Sequence, residues 1–195
     1  MKGEGSPAVF LDRDGTLVDN LGFLGDPERV RLLPGVPEAL DRLARAGFLL
    51  VVVTNQSAVA RGLFTCADVE AVNRKVNRET GDRIDRFYYC PHHPEIGRPP
   101  WRRVCPCRKP APGMIEQAIA DLAIDPAASF CVGDQARDLE CCRALPVATI
   151  LVLTGRGKEQ RTGLAGEPDR VCADLAAATD WILGGGSRRP APQGR

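Results

Sequence analysis

In the stretch "VFLDRDGTLV", residues 9–18, two aspartates, Asp12 and Asp14, follow directly on an apolar run, with Arg, Gly and Thr around them. A carboxylate can act as a nucleophile and also as a ligand to a hard cation such as Mg2+, which takes oxygen ligands and leaves room for phosphate. A second carboxylate two residues on can stand clear of the metal and move protons as general acid and base. Three further polar clusters also follow apolar runs. They are Thr54, Asn55, Gln56 and Ser57 after "FLLVVV", a Cys- and His-rich segment after "RFYY", and Gly133-Asp134 after "SFCV". Thr54, Asn55 and Ser57 offer neutral donors to phosphate oxygens. Lys109, in "CRKP", offers a positive charge, and Asp134 another metal-binding carboxylate. Together they describe phosphoryl transfer, in which catalysis is mostly positioning and charge stabilisation. Any one cluster alone reads equally well as turn chemistry, since Asp, Asn and Gly favour turns; four in comparable places argue for a site.

The elements that must bring these clusters together are legible as apolar periods. Strands are expected over 8–11, 48–55, 86–90, 129–134 and 148–155. Helices are expected over 36–47, 65–81 (capped by Thr65), 112–124 (Pro112 near its start), 135–145 and 174–183. "FLLVVVTN" is nearly all apolar, as in a strand buried on both faces. Strand alternates with helix throughout, which predicts an α/β fold: a Rossmann-like parallel sheet with helices on both faces and right-handed crossovers. Ligands of such a sheet bind beyond the carboxyl ends of its strands, where the polar clusters fall. The 195-residue length suits one domain, expected over residues 1–183, and the low-complexity "GGGSRRPAPQGR" over 184–195 reads as a disordered tail.

The composition narrows the functional classes. With 44% hydrophobic residues the chain can bury a core, and a net charge of +1 gives no sign of a nucleic-acid or membrane surface. No apolar run reaches the ~18 residues of a membrane span. "MKGEGSPA" has no apolar core of a secretory signal, so a cytoplasmic location is expected. The expected partner is a small molecule, with the chain acting as a monomer. Eight cysteines are then more consistent with thiols than with a disulfide framework. Cys66, Cys141, Cys142 and Cys172 lie in helical or apolar text and read as packing residues.

Residues 91–111 break the rhythm. Cys90-x-His92 and Cys105-x-Cys107 form two tight pairs, a set suited to tetrahedral Zn2+. His93 is an alternative imidazole. Four ligands leave no open position, so such a zinc would be structural and would fix a loop, residues 90–107, that has little core of its own.

"DRDGT", "VVVTNQS", "RKP" and "VGDQARD" resemble, in order, the four motifs of the haloacid dehalogenase-like phosphatases. The resemblance spans roughly residues 8–155. It implies an aspartyl-phosphate on Asp12, with Asp14 protonating the leaving oxygen and then activating water. Thr54 and Lys109 would hold the phosphoryl group. Asp12, Asp134 and the Asp14 carbonyl would bind Mg2+, with Asp138 supporting the metal shell from behind. The zinc loop is similar to that of the branch of heptose-bisphosphate and histidinol-phosphate phosphatases, which has little or no cap domain, and that pattern favours His92 as the ligand. The expected activity is Mg2+-dependent hydrolysis of a small sugar bisphosphate, with histidinol phosphate as the alternative substrate.

Without a cap, the loop over 18–32 and the zinc loop must shape the pocket. Substrate contacts are expected from Asn20, Gly22, Asn55, Gln56, Ser57, Arg108 and Gln135. Successive residues of an extended loop point to opposite sides, so Arg108 should face away from the phosphoryl held by Lys109, toward a second phosphate. Two positions depart from the family: Asn20 stands where it has an acid, and Gln135 where it has a basic residue. A receiver domain, the other phospho-accepting class on a parallel sheet, lacks both the second Asp and a zinc loop. A nucleic-acid-end phosphatase fits the neutral charge poorly, and a zinc-dependent binding module would not need every catalytic position filled.

Overall fold

The computed structural model describes residues 5–20 and 22–187. Six strands, β1 (Ala8–Leu11), β2 (Leu49–Asn55), β3 (Arg86–Cys90), β4 (Phe130–Gly133), β5 (Ala148–Val152) and β6 (Arg170–Cys172), form one sheet in the order β3-β2-β1-β4-β5-β6. Every pairing is parallel. β1 lies in the middle, with Leu11 opposite Val52 on one side and Val132 on the other. The chain builds outward from β1 first toward β3 and then toward β6. The carboxyl ends of β1 and β4 therefore flank the point where the winding reverses, which is the ligand-binding crevice of such sheets.

Side-chain alternation along the strands divides the core in two. Val9, Leu11, Leu50, Val52, Val132, Ile150 and Val152 face one way, under α1 (Val36–Arg45), α2 (Cys66–Glu79) and α6 (Leu175–Leu183). Ala8, Phe10, Val51, Val53 and Cys131 face the other, under α3 (Gly113–Leu122) and the residues after α4 (Ala136–Glu140). α1 shows how sequence places a helix: Val36, Ala39, Leu40 and Leu43 recur at helical spacing and are all buried, while Asp41, Arg42 and Arg45 lie on its outer side. α2 begins at a capping box in which the Thr65 hydroxyl accepts from the Asp68 N–H and Asp68 accepts from the Thr65 N–H. Between β1 and α1 the described residues form a short 3-10 turn, Pro27–Arg29, and isolated bridges through Val18, and they contain no cap domain.

Three expectations need correction. The helix expected over 135–145 stops at Glu140. The Asp138 carbonyl, which would accept from Cys142 N–H in a continuing helix, instead accepts from the Cys131 and Cys141 thiols, and the following bonds tighten to three-residue turns ahead of Pro146. The strand expected to run to residue 155 ends at Val152, because Leu153–Gly155 turn beneath the site. β6 and the short α5 (Gly157–Gln160) were not anticipated: three residues at a sheet edge carry too little period to read. The tail expected over 184–195 lies outside the described residues from 188 onward.

Candidate active site

A cavity of about 490 Å3 opens at the carboxyl edge of the sheet. All eleven residues expected to act in catalysis or substrate binding line it: Asp12, Asp14, Thr54 and Lys109, with Asn20, Gly22, Asn55, Gln56, Ser57, Arg108 and Gln135. Asp134 and Asp138 lie fully buried at its base.

At the centre is a buried cation between carboxylates. Lys109 Nζ donates to Asp12 Oδ1 at 2.7 Å and to the Val53 carbonyl at 2.7 Å, and stands 2.8 Å from Asp138 Oδ1. Burial alone would depress the lysine, but Asp12 and Asp138 outweigh it and hold the ammonium charged. Lys109 is itself positioned by Asn55, whose amide accepts from the Lys109 N–H at 3.1 Å and donates to its carbonyl at 3.0 Å. Both ends of the Asn55 amide are thus engaged with backbone, which makes it a brace for Lys109 where a substrate contact was expected.

Asp14 is oriented from two sides. Arg13, fully buried, forks onto its carboxylate at 3.0–3.3 Å and anchors its other end on Asn73 Oδ1 at 2.8 Å. Gln56 donates to Asp14 Oδ2 at 2.7 Å and to Thr54 Oγ1 at 2.9 Å, so its amide links the two catalytic positions. Arg13 and Asn73 are absent from the sequence expectations. An arginine between two aspartates reads as surface charge until the partner, 60 residues away, is known.

Asp134 marks where a cation would sit. Its Oδ2 accepts from the Arg156 N–H at 2.8 Å, while Oδ1 is buried with no hydrogen-bond partner among the described residues. An orphaned buried carboxylate oxygen is costly unless something binds it. One carboxylate oxygen from each of Asp12, Asp134 and Asp138 lies within 4.8 Å of the others, an all-oxygen set suited to a hard cation. Burial first, and then the Asp12 charge, raise the Asp134 pKa to about 6. The packing is tight: Gly15 (φ 98°) and Gly155 (φ 51°) approach this carboxylate so closely that a Cβ on either would overlap it. The Asp14 carboxylate is held by Arg13 and Gln56 and does not join the set. Asp138, expected to stand behind the metal shell, brings one oxygen into it while its Oδ2 accepts from the Gln135 N–H at 2.9 Å.

The loop after β3 carries a second cluster. The sulfurs of Cys90, Cys105 and Cys107 lie 3.1–3.5 Å apart, and His92 Nδ1 stands 3.4 Å from Cys107 and 3.7 Å from Cys90. A tetrahedron of metal–sulfur bonds of about 2.3 Å has edges of about 3.8 Å, so the set needs little adjustment to close on Zn2+. His93 instead turns away, accepting from the Glu95 and Ile96 N–H groups, and lines the cavity. Two residues beyond Cys107 comes Lys109, and Arg108 between them donates to the His92 carbonyl at 3.0 Å while lining the cavity. Arg61, Arg137 and Arg156 add to the rim three cations that were not among the expected site residues. Arg137 donates to Gln135 Oε1 at 2.7 Å, so a positive charge reaches the cavity beside the position where the family's basic residue is missing.

Known proteins resemble this chain in sequence and in fold. The HAD-hydrolase-like family matches residues 106–178. The D-glycero-beta-D-manno-heptose-1,7-bisphosphate 7-phosphatase of Salmonella typhi is 41% identical over 181 residues, covering 91% of this chain and 89% of that protein. The D-glycero-D-manno-heptose-1,7-bisphosphate 7-phosphatase of Chlorobaculum tepidum is 41% identical over 195 residues, with 93% and 96% covered. The crystal structure of D,D-heptose 1,7-bisphosphate phosphatase from B. bronchiseptica, complexed with magnesium and phosphate, superimposes with a TM-score of 0.82 at 35% identity, covering 92% of this chain and 99% of that one. With near-complete coverage at this identity, the chain belongs to the HAD-like hydrolases, in the family of the D-glycero-D-manno-heptose-1,7-bisphosphate 7-phosphatases.

Proposed function

We propose that this protein is a Mg2+-dependent phosphatase that removes the C7 phosphate of D-glycero-D-manno-heptose 1,7-bisphosphate, acting in the cytoplasm as a single catalytic domain over residues 1–183 and as a monomer. The observation that carries the reading is the buried Asp12–Lys109 pair beside the orphaned Asp134 oxygen, at the floor of a cavity rimmed by arginines. The relative crystallised with magnesium and phosphate supports both ligands.

Lys109 occupies Asp12 Oδ1, which leaves Oδ2 to attack phosphorus in line with the leaving oxygen. As the bond to C7 oxygen breaks, Asp14, fixed by Arg13 and Gln56, delivers a proton to that oxygen. The same carboxylate then takes a proton from water, which attacks the Asp12 phosphate, releases inorganic phosphate and restores the nucleophile. The Thr54 hydroxyl and Lys109 ammonium face the phosphoryl oxygens and stabilise the charge spread over them. Mg2+, held by Asp12, Asp134 and the Asp14 carbonyl with Asp138 in support, would neutralise phosphoryl charge and lower the barrier to attack by one anion on another. Cys90, His92, Cys105 and Cys107 would hold a structural Zn2+ that fixes the segment carrying Arg108 and Lys109.

The test is phosphate release from both anomers of heptose 1,7-bisphosphate and from histidinol phosphate, with and without Mg2+. A kcat/KM at least about 100-fold higher for a heptose bisphosphate, dependent on Mg2+, is expected. A preference for histidinol phosphate would overturn the substrate reading.

A further inference from the structure

Three cysteines outside both clusters meet on the α3 side of the sheet. Cys131 lies on β4, and Cys141 and Cys142 lie in the turn that ends α4. Each is 1% exposed, and their three sulfurs lie within 4.8 Å of one another. Cys131 and Cys141 both donate to one acceptor, the Asp138 carbonyl, at 3.2 and 3.0 Å. We propose that Cys131, Cys141 and Cys142 form a three-sulfur site that captures a trivalent thiophilic metalloid of the arsenite class.

Charge selects the ligand class. Soft thiolates favour soft ions, but here the site is almost wholly removed from water, where a net charge is costly. Three thiolates around a monovalent ion would leave two negative charges, and around a divalent ion one. Around a trivalent centre they leave none. The reaction is balanced without a redox partner: three bonds from arsenic to hydroxyl oxygen are replaced by three arsenic–sulfur bonds, and each thiol proton leaves with a hydroxide as water. Bonds from a central atom to sulfur of about 2.3 Å place three sulfurs no more than about 4 Å apart, a spacing this trio meets with small rotamer shifts. Zn2+ would want a fourth ligand, and no other metal-ligating side chain belongs to this group among the described residues. Entry is through the turn itself, where Arg143 and Ala144 are exposed immediately after Cys142.

The site sits behind the reaction centre. The Asp138 carboxylate pairs with Lys109 at 2.8 Å, and Lys109 holds Asp12. Capture removes both thiol bonds from the Asp138 carbonyl and moves the residue that seats Lys109, so turnover should fall.

The full-length, reduced protein, with its zinc content measured, is treated with sodium arsenite and followed by native mass spectrometry. The expected product gains one arsenic and loses three hydrogens per chain with zinc unchanged, arsenic X-ray absorption shows three sulfur neighbours, and kcat falls about tenfold or more. Cys142→Ala keeps both thiols that bond Asp138. It should retain basal turnover yet lose the three-hydrogen adduct and the inhibition. No adduct, arsenic gained only as zinc is lost, or the same adduct in Cys142→Ala would each overturn the proposal. The adduct mass and zinc content of the unsubstituted chain decide the matter even if that variant folds poorly.

Discussion

At the scale of single residues, Arg108 is the side chain placed to meet a second phosphate. It lines the cavity next to the lysine assigned to the reacting phosphoryl, and its Nη1 is tied to the His92 carbonyl, so the guanidinium is pre-oriented. A planar fork held this way suits the oxygens of a second phosphate. Arg108→Ala should lower kcat/KM for heptose 1,7-bisphosphate by about 10- to 150-fold, roughly 1.5–3 kcal/mol, and leave the C7 monophosphate of the same sugar nearly unaffected. Equal losses on both substrates would assign Arg108 to the reacting phosphate or to the fold. The placement of Asp12, Asp14, Thr54 and Asp134 was legible in the sequence because each follows an apolar run; Lys109 lies in a loop without a period, and its place rested on the resemblance of "RKP" to a family motif. Arg13, Asn55 and Gln56 were not legible in their observed contacts. What they do depends on Asn73, Lys109 and Asp14, 42 to 60 residues away, and no local pattern encodes those meetings.

At the scale of elements, the four inner strands, β1, β2, β4 and β5, were readable because a strand buried on both faces is nearly uniformly apolar, and the edge strand β3 was readable from its aromatic run. The errors lie where side-chain chemistry ends an element early: sulfurs claim the Asp138 carbonyl at the end of α4, and the turn through Gly155 under Asp134 ends β5. The loop after β3 has no regular element beyond an isolated bridge between His93 and Arg102, so its order depends on the Cys90–His92–Cys105–Cys107 set. Cys105→Ser should therefore release zinc, lower unfolding free energy by at least about 2 kcal/mol, and reduce kcat by loosening Lys109. Denaturant unfolding with metal analysis checks this. A variant with unchanged stability, or wild-type protein purified reduced and without zinc, would contradict it.

At the scale of the whole molecule, one architectural fact organises the rest: the order β3-β2-β1-β4-β5-β6 puts β1 and β4 side by side, so Asp12 and Asp134 share one crevice. Gathering carboxylates there has a cost that links folding to pH and metal. The Asp134 pKa is raised from 3.8 to about 6, so between those values the metal-free folded chain keeps a proton that the unfolded chain has released. Asp134 should thus make metal-free protein less stable as pH rises from 4 through 6. Mg2+ needs the deprotonated carboxylate, so the rise in Tm that it produces should grow from pH 5.5 to 7.5. A Mg2+-induced shift independent of pH would contradict this linkage. The central claim is that Asp12 carries the phosphoryl group. Rapid quenching during turnover, borohydride reduction and peptide mass spectrometry test it most directly, since an aspartyl-phosphate is reduced to homoserine. Homoserine is expected at position 12 alone; turnover with no conversion at that position, or conversion at Asp14 or Asp134 instead, would contradict the assignment of Asp12 as nucleophile.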